Sequence, residues 1–115
     1  MDGVYQFLDE NGHIVEKIVE FKCPWTFREE TKRSLINEGN KLPYIENGKL
    51  KKNHTYYAQI QFYLWVYKLQ ECSMFIWCPK DFIELNILFD VEYCNKMMRN
   101  LVCLYEDWYA RVLFM

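Results

Sequence analysis

The sequence predicts an α/β (α+β) fold, a central sheet covered by helices, on three observations. Two alternating, β-rich stretches meet at Asn11-Gly12, and Asn-Gly is among the strongest short-range hairpin signals. A second pair of strand-like stretches meets at Pro79-Lys80-Asp81. Between and after these pairs the apolar residues repeat with the period of a helix, not that of a strand. With 115 residues, 51% of them apolar and 18% aromatic, residues 1–115 read as a single domain with one modest core and no signature of disorder.

Each element has a local cause. Residues 4–8 alternate and are rich in β-formers, and 13–23 form a longer return strand that ends at Pro24, which has no N–H to give to a ladder. Thr26 and Glu29 have the spacing of a capping box, which predicts a helix over 27–36. Residues 37–53, with Gly39, Pro43 and Asn47-Gly48, read as a loop holding a small hairpin. A helix follows over 55–69, with Ile60, Leu64 and Tyr67 on its core-facing stripe and Tyr57, Phe62, Tyr63 and Trp65 burying the sheet. Strands are expected over 72–78 and 82–89. Asp90 or a neighbour then caps a last helix reaching 112, whose Tyr93, Met97, Leu101, Leu104 and Trp108 face the sheet. The order ββαα-ββα is that of a sheet with helical layers.

Composition narrows the function classes. The longest uncharged stretch, 55–67, is too short and too polar to cross a bilayer, and no basic-then-apolar signal segment opens the chain. The five cysteines form no C-x-x-C pair, and Cys72 and Cys78, six apart, lie far in sequence from His13 and His54, so reduced intracellular thiols are expected in place of a zinc site. A net charge of −2 gives no global attraction for nucleic acid, so contacts with it would need a local patch. Ser34 and Ser73 lack a histidine and an acid in a triad arrangement, and no glycine-rich phosphate loop occurs.

The chemistry concentrates at the first hairpin. Residues i and i+2 of a strand share a face, so Glu20 and Lys22 stand side by side, leaving Val19, Phe21 and Cys23 as the apolar face to bury. Counting back from Asn11-Gly12 brings Asp2 opposite them, in a D-x17-E-x-K pattern. Two carboxylates and an ammonium converging on one spot suit a hard cation such as Mg²⁺, which takes carboxylate oxygens and keeps waters. A cross-strand salt bridge on a solvated face is the alternative, and these residues alone leave both open.

Further motifs bear on that choice. The run VEFKCPWTFRE is followed after a loop by KKNHTYYAQIQFYLWV and then FIWCPKD. Together they resemble the YqaJ-like viral recombinase family, which includes the lambda-type exonuclease and belongs to the PD-(D/E)xK nuclease superfamily. The matching positions are Asp2-Gly3, Glu20 to Pro24, Tyr56 with Gln59 and Gln61, and Trp77-Cys78-Pro79, and they span nearly the whole chain.

The resemblance implies a restriction-endonuclease-like core, a mixed central sheet flanked by helices. It implies a Mg²⁺- (or Mn²⁺-) dependent exonuclease that resects duplex DNA ends 5′ to 3′ in recombination and repair. Asp2, Glu20 and the Phe21 carbonyl would be metal ligands, Lys22 would position water, and Gln59 would reach back to the catalytic centre. Gln61, two residues and about 200° away, is expected to serve packing or a partner strand. Arg28, Lys32, Lys51, Lys52 and Tyr56 are the expected DNA contacts. Relatives form trimers and act with a single-strand annealing protein, which makes homo-oligomerisation and such a partner expectations here.

Relatives also carry a region ahead of Asp-Gly that supplies another acidic residue, whereas Asp2 here follows Met1. The chain is accordingly expected to lack that region, as a piece of a longer product or a pared-down copy. The alternatives are a catalytically inactive DNA- or protein-binding remnant and a restriction-type endonuclease.

Overall fold

A computed structural model describes residues 2–24, 42–109 and 112. The elements run β1 (Gly3–Leu8), β2 (Ile14–Lys22), β3 (Ile45–Glu46), β4 (Lys49–Leu50), α1 (Thr55–Tyr67), β5 (Glu71–Cys78), β6 (Asp81–Leu88) and α2 (Val91–Leu104), and α2 runs into a π-helical turn, Tyr105–Tyr109. The helix expected over 27–36, with Trp25, Thr26, Phe27, Arg28, Glu29 and Lys32, lies outside the described residues.

The main sheet has the order β1-β2-β5-β6 and is mixed. β1 and β2 are antiparallel from Gly3↔Val19 to Leu8↔Ile14, and β5 and β6 are antiparallel from Glu71↔Leu88 to Cys78↔Asp81. β2 and β5 run parallel, Ile18 opposite Cys72 and Lys22 opposite Ile76. Parallel neighbours cannot be joined by a tight turn, and here the connection carries α1 across the sheet. The fold is thus an α+β arrangement of a mixed sheet and helices, as the sequence leads one to expect.

Turn chemistry sets the strand ends. At the first hairpin Asp9 Oδ1 accepts the N–H groups of Asn11 and His13, and Gly12 takes a φ of 78°. The loop therefore spans Asp9 to His13, wider than a two-residue Asn-Gly turn. The second Asn-Gly does make that tight turn. Asn47 and Gly48 both have positive φ, 53° and 75°, and join β3 to β4.

The core lies on one face of the sheet, beneath α1. Ile18 and Glu20 of β2, Cys72, Met74, Ile76 and Cys78 of β5, and Ile83, Leu85 and Ile87 of β6 are all buried on it. Tyr57, Ile60 and Leu64 of α1 and Leu42, Tyr44, Ile45 and Leu50 from the β3–β4 region complete the apolar cluster. This corrects the expected polarity of β2. The face with Val19, Phe21 and Cys23 is not the buried one: Phe21 is 53% exposed and Cys23 is exposed, while Glu20 is 7% exposed. Phe21 stacks on Phe75 and Tyr5 on Phe7, and Lys17 lies over the Tyr5 and Phe7 rings on that opposite face.

Two helical expectations are also corrected. In α1, Ile60 and Leu64 are buried as expected, but Tyr67, Phe62 and Trp65 are exposed, because the helix covers the sheet with only one side. In α2, Cys94 is the buried residue; Leu101, Leu104 and Trp108 are exposed and do not cover the sheet. α2 packs through its first turns against α1, by the Tyr57–Tyr93 edge contact and Cys94, and its later turns leave the core. No helix among the described residues is long and apolar enough to cross a membrane.

Candidate functional site

Strand β2 delivers the charged pair to the end of the sheet. Its alternation puts Ile18, Glu20 and Lys22 on the face covered by α1, Ile18 and Glu20 buried and Lys22 half-buried. Glu20 stands beside Met74 of β5, with Cys72 one step back on the same face. Burial first, and the Glu20 charge second, push the Cys72 thiol up to about 12. Glu20 is thus held at the rim of the core.

Asp2 joins this end of the sheet from β1. The pairing of Gly3 with Val19 puts Asp2 level with Glu20, and Asp2 Oδ2 accepts the Phe21 N–H at 2.7 Å. That bond fixes an exposed carboxylate across the strand gap, with Oδ1 left for another ligand. The position inferred from counting through the hairpin is therefore the position found, although the turn itself is wider.

Lys22 points to a different neighbour than an acid. Its Nζ lies 4.1 Å from the centroid of the Tyr56 ring, and no ion pair joins it to a described carboxylate. Tyr56 opens α1, where its N–H donates to Nδ1 of the N-cap His54 at 3.1 Å. The His54 ring meets the Tyr56 ring edge-on at 4.5 Å, and the Tyr44 ring lies 4.8 Å from Tyr56. Tyr44 is buried, and that burial, with the neighbouring Tyr56 and Cys78, pushes its phenol up to about 12.

The other expected site residues divide. Gln59 is exposed, one turn beyond Tyr56. Gln61 is 0% exposed: its Nε2 donates to the Leu88 carbonyl at 2.9 Å and its Oε1 accepts the Asp90 N–H at 2.8 Å. It pins the β6–α2 junction, in line with a packing role. Lys51 gives its backbone N–H to the Tyr44 carbonyl. Lys52 Nζ lies 3.5 Å from Asp90 Oδ2, engaged with a carboxylate on the Tyr57 side of α1. Arg28 and Lys32 lie outside the described residues.

Asp90 was foreseen only as a helix cap, and it does more. Its Oδ1 accepts the Tyr93 N–H and its Oδ2 the Tyr57 hydroxyl at 2.7 Å. The Tyr57 bond first, then the Tyr93 amide and Lys52, hold this carboxyl below the usual range. A concavity of about 700 Å³ opens there, lined by Lys49, Lys52, Tyr57, Glu84, Asp90 and Glu92 but by none of Asp2, Glu20 and Lys22.

The Asp2 and Glu20 carboxylates and the Phe21 carbonyl are hard oxygen donors, of the kind that Mg²⁺ and Mn²⁺ take. Among the described residues no group of three or more His, Cys, Asp and Glu side chains could hold a metal. A cation here would therefore lean on waters or substrate oxygens, as Mg²⁺ does.

Comparison of the chain with protein-family models, with curated proteins and with solved structures finds no match in any of the three.

Proposed function

We propose that this chain is the core of a divalent-metal-dependent deoxyribonuclease of the restriction-endonuclease-like type, acting on duplex DNA ends. The observation that carries the reading is the Asp2–Phe21 hydrogen bond. It ties the Asp2 carboxylate to the β2 backbone one residue beyond Glu20, and Lys22 shares the Glu20 face of that strand, which supports the D-x17-E-x-K reading. A hairpin bearing the acids, followed by a helix crossing to a parallel strand, agrees with the arrangement that the sequence motifs imply.

Asp2, Glu20 and the Phe21 carbonyl would hold Mg²⁺ or Mn²⁺. Such an ion makes a bound water more acidic and offsets charge developing on a phosphodiester. Glu20, fixed by the sheet and mostly shut off from solvent, offers its carboxylate from one direction. Asp2, more open, faces the side from which DNA would approach. Lys22 would direct its N–H donors at the attacking water, and Gln59 lies one turn beyond Tyr56 on α1, where a substrate oxygen could reach it. Arg28, Lys32 and Lys51 would hold phosphates flanking the scissile bond, with Lys52 contributing if it leaves Asp90.

A second reading is favoured by one observation: among the described residues no group of three or more His, Cys, Asp and Glu side chains could hold a metal. On that reading the chain binds DNA or a protein and does not cut. Digestion of end-labelled linear duplex DNA separates the two, run with Mg²⁺, with EDTA, and with Glu20→Ala and Lys22→Ala. Metal-dependent loss of label that both variants abolish supports the nuclease. A folded wild-type chain that binds DNA and leaves it intact supports the binding protein.

A further inference from the structure

We propose that Tyr56 is a positioning residue for Lys22, its ring holding the ammonium at the β1–β2 end of the sheet, with the His54 and Tyr44 rings packed against it. The role differs from the DNA contact that the sequence motif suggests for Tyr56. It rests on the nuclease reading for its catalytic consequence, but not for its geometry.

The ring is where the proposal starts. Lys22 Nζ lies 4.1 Å from the Tyr56 centroid, inside the roughly 6 Å within which a ring quadrupole attracts a cation. Tyr56 is half-buried and packed against the core cluster. Its N–H is tied to His54 Nδ1, and its ring contacts the rings of His54 and of the buried Tyr44. Tyr44 is itself anchored, since its carbonyl accepts the Lys51 N–H at 2.8 Å and its ring belongs to the core cluster.

The choice of an aromatic partner has a chemical reason. A lysine two residues from Glu20 could be held by a third carboxylate, but that anion would compete for the metal and engage the ammonium directly. A ring face attracts the charge without adding a ligand. It also leaves N–H bonds of the ammonium free to donate to water or a phosphate oxygen. The flexible lysine stem then loses its freedom before substrate arrives, which is where positioning contributes to rate.

The test reads the Lys22 side chain directly. A proton–carbon correlation spectrum of the full chain, with Lys22 assigned by Lys22→Arg, is recorded for wild type, Tyr56→Leu and Tyr56→Phe. The proposal requires an upfield ring-current shift of the Lys22 ε-methylene with cross-peaks to the Tyr56 ring, retained in Tyr56→Phe and lost in Tyr56→Leu. A wild-type methylene at the free-lysine position without those cross-peaks overturns it, whatever the folding of the leucine variant. In the Mg²⁺-dependent digestion, Tyr56→Leu should lower kcat about tenfold with KM unchanged, and Tyr56→Phe should restore it. An unchanged kcat in Tyr56→Leu, with the shift lost, overturns the positioning role. A wild-type chain that does not cut DNA overturns the nuclease reading, and the ring-current arm still decides the clamp.

Discussion

Asp2 and Phe21 are joined across the edge of the sheet by a 2.7 Å hydrogen bond, from the Phe21 N–H to Asp2 Oδ2. An edge-strand carboxylate used this way is half committed to the fold and half available. Asp2→Asn keeps an acceptor oxygen for Phe21 and removes the charge. Its effect on stability should stay within about 1 kcal/mol by urea unfolding. Nuclease activity, by contrast, should fall at least about a hundredfold in end-labelled digestion. A variant that cuts like wild type would remove Asp2 from the site.

Gln61 is a fully buried polar side chain with both ends of its amide hydrogen-bonded. Gln61→Leu leaves the Leu88 carbonyl and the Asp90 N–H without their side-chain partners at a part-buried junction. The expected loss is about 1–3 kcal/mol, read from the urea midpoint, because groups left without partners cost more than the net value of their bonds. The spread of near-ultraviolet signal from Tyr57 and Tyr93 should change with it, since their contact spans the same junction.

Thiol chemistry should follow burial. Cys23 and Cys103 are exposed, while Cys72, Cys78 and Cys94 are buried. Burial raises the Cys72 thiol to about 12 and raises that of Cys94 as well. A disulfide reagent at pH 8 should therefore modify Cys23 and Cys103 quickly and reach the other three only on unfolding. Rapid modification of Cys72 would show that the helix-covered face beside Glu20 opens readily.

The Tyr57–Asp90 bond gives stability a sign at both ends of the pH scale. Asp90 is held below the ordinary carboxylate value, so its contribution is present above that value and is lost as pH falls through the lowered one. Burial, followed by the bond to Asp90, raises Tyr57, and burial raises Tyr44 to about 12. Their contributions are complete below the unfolded tyrosine value of about 10 and are lost as pH rises through the folded values. Thermal melts should show the gap between wild type and Tyr57→Phe narrowing toward acid. A constant gap from neutral pH to pH 2 would mean that the bond does not shift Asp90.

Local chemistry made much of this molecule legible in its sequence. The Asn47-Gly48 hairpin, the Asp90 cap, and the strands on either side of Pro79-Lys80 depend on residues within a turn of one another, and each is found close to where it was expected. Which face of β2 is buried was not legible. Val19, Phe21 and Cys23 make the more apolar set, and the decision instead lies with α1 and β5, which reach β2 from more than thirty positions away. The same distance hid the Tyr56 ring from any reading of Lys22, and made the α2 stripe look like core when its later turns extend beyond the sheet. The register that sets Asp2 level with Glu20 was legible because a hairpin register needs only the turn and the alternation.

Calorimetric titration with Mn²⁺ decides whether Asp2 and Glu20 together form a metal site. Saturable binding to the wild-type chain is expected, lost in Asp2→Asn and in Glu20→Gln, each still folded, and retained in Lys22→Ala. A chain that binds no Mn²⁺, or binds it equally well in both carboxylate variants, has no metal site at Asp2 and Glu20.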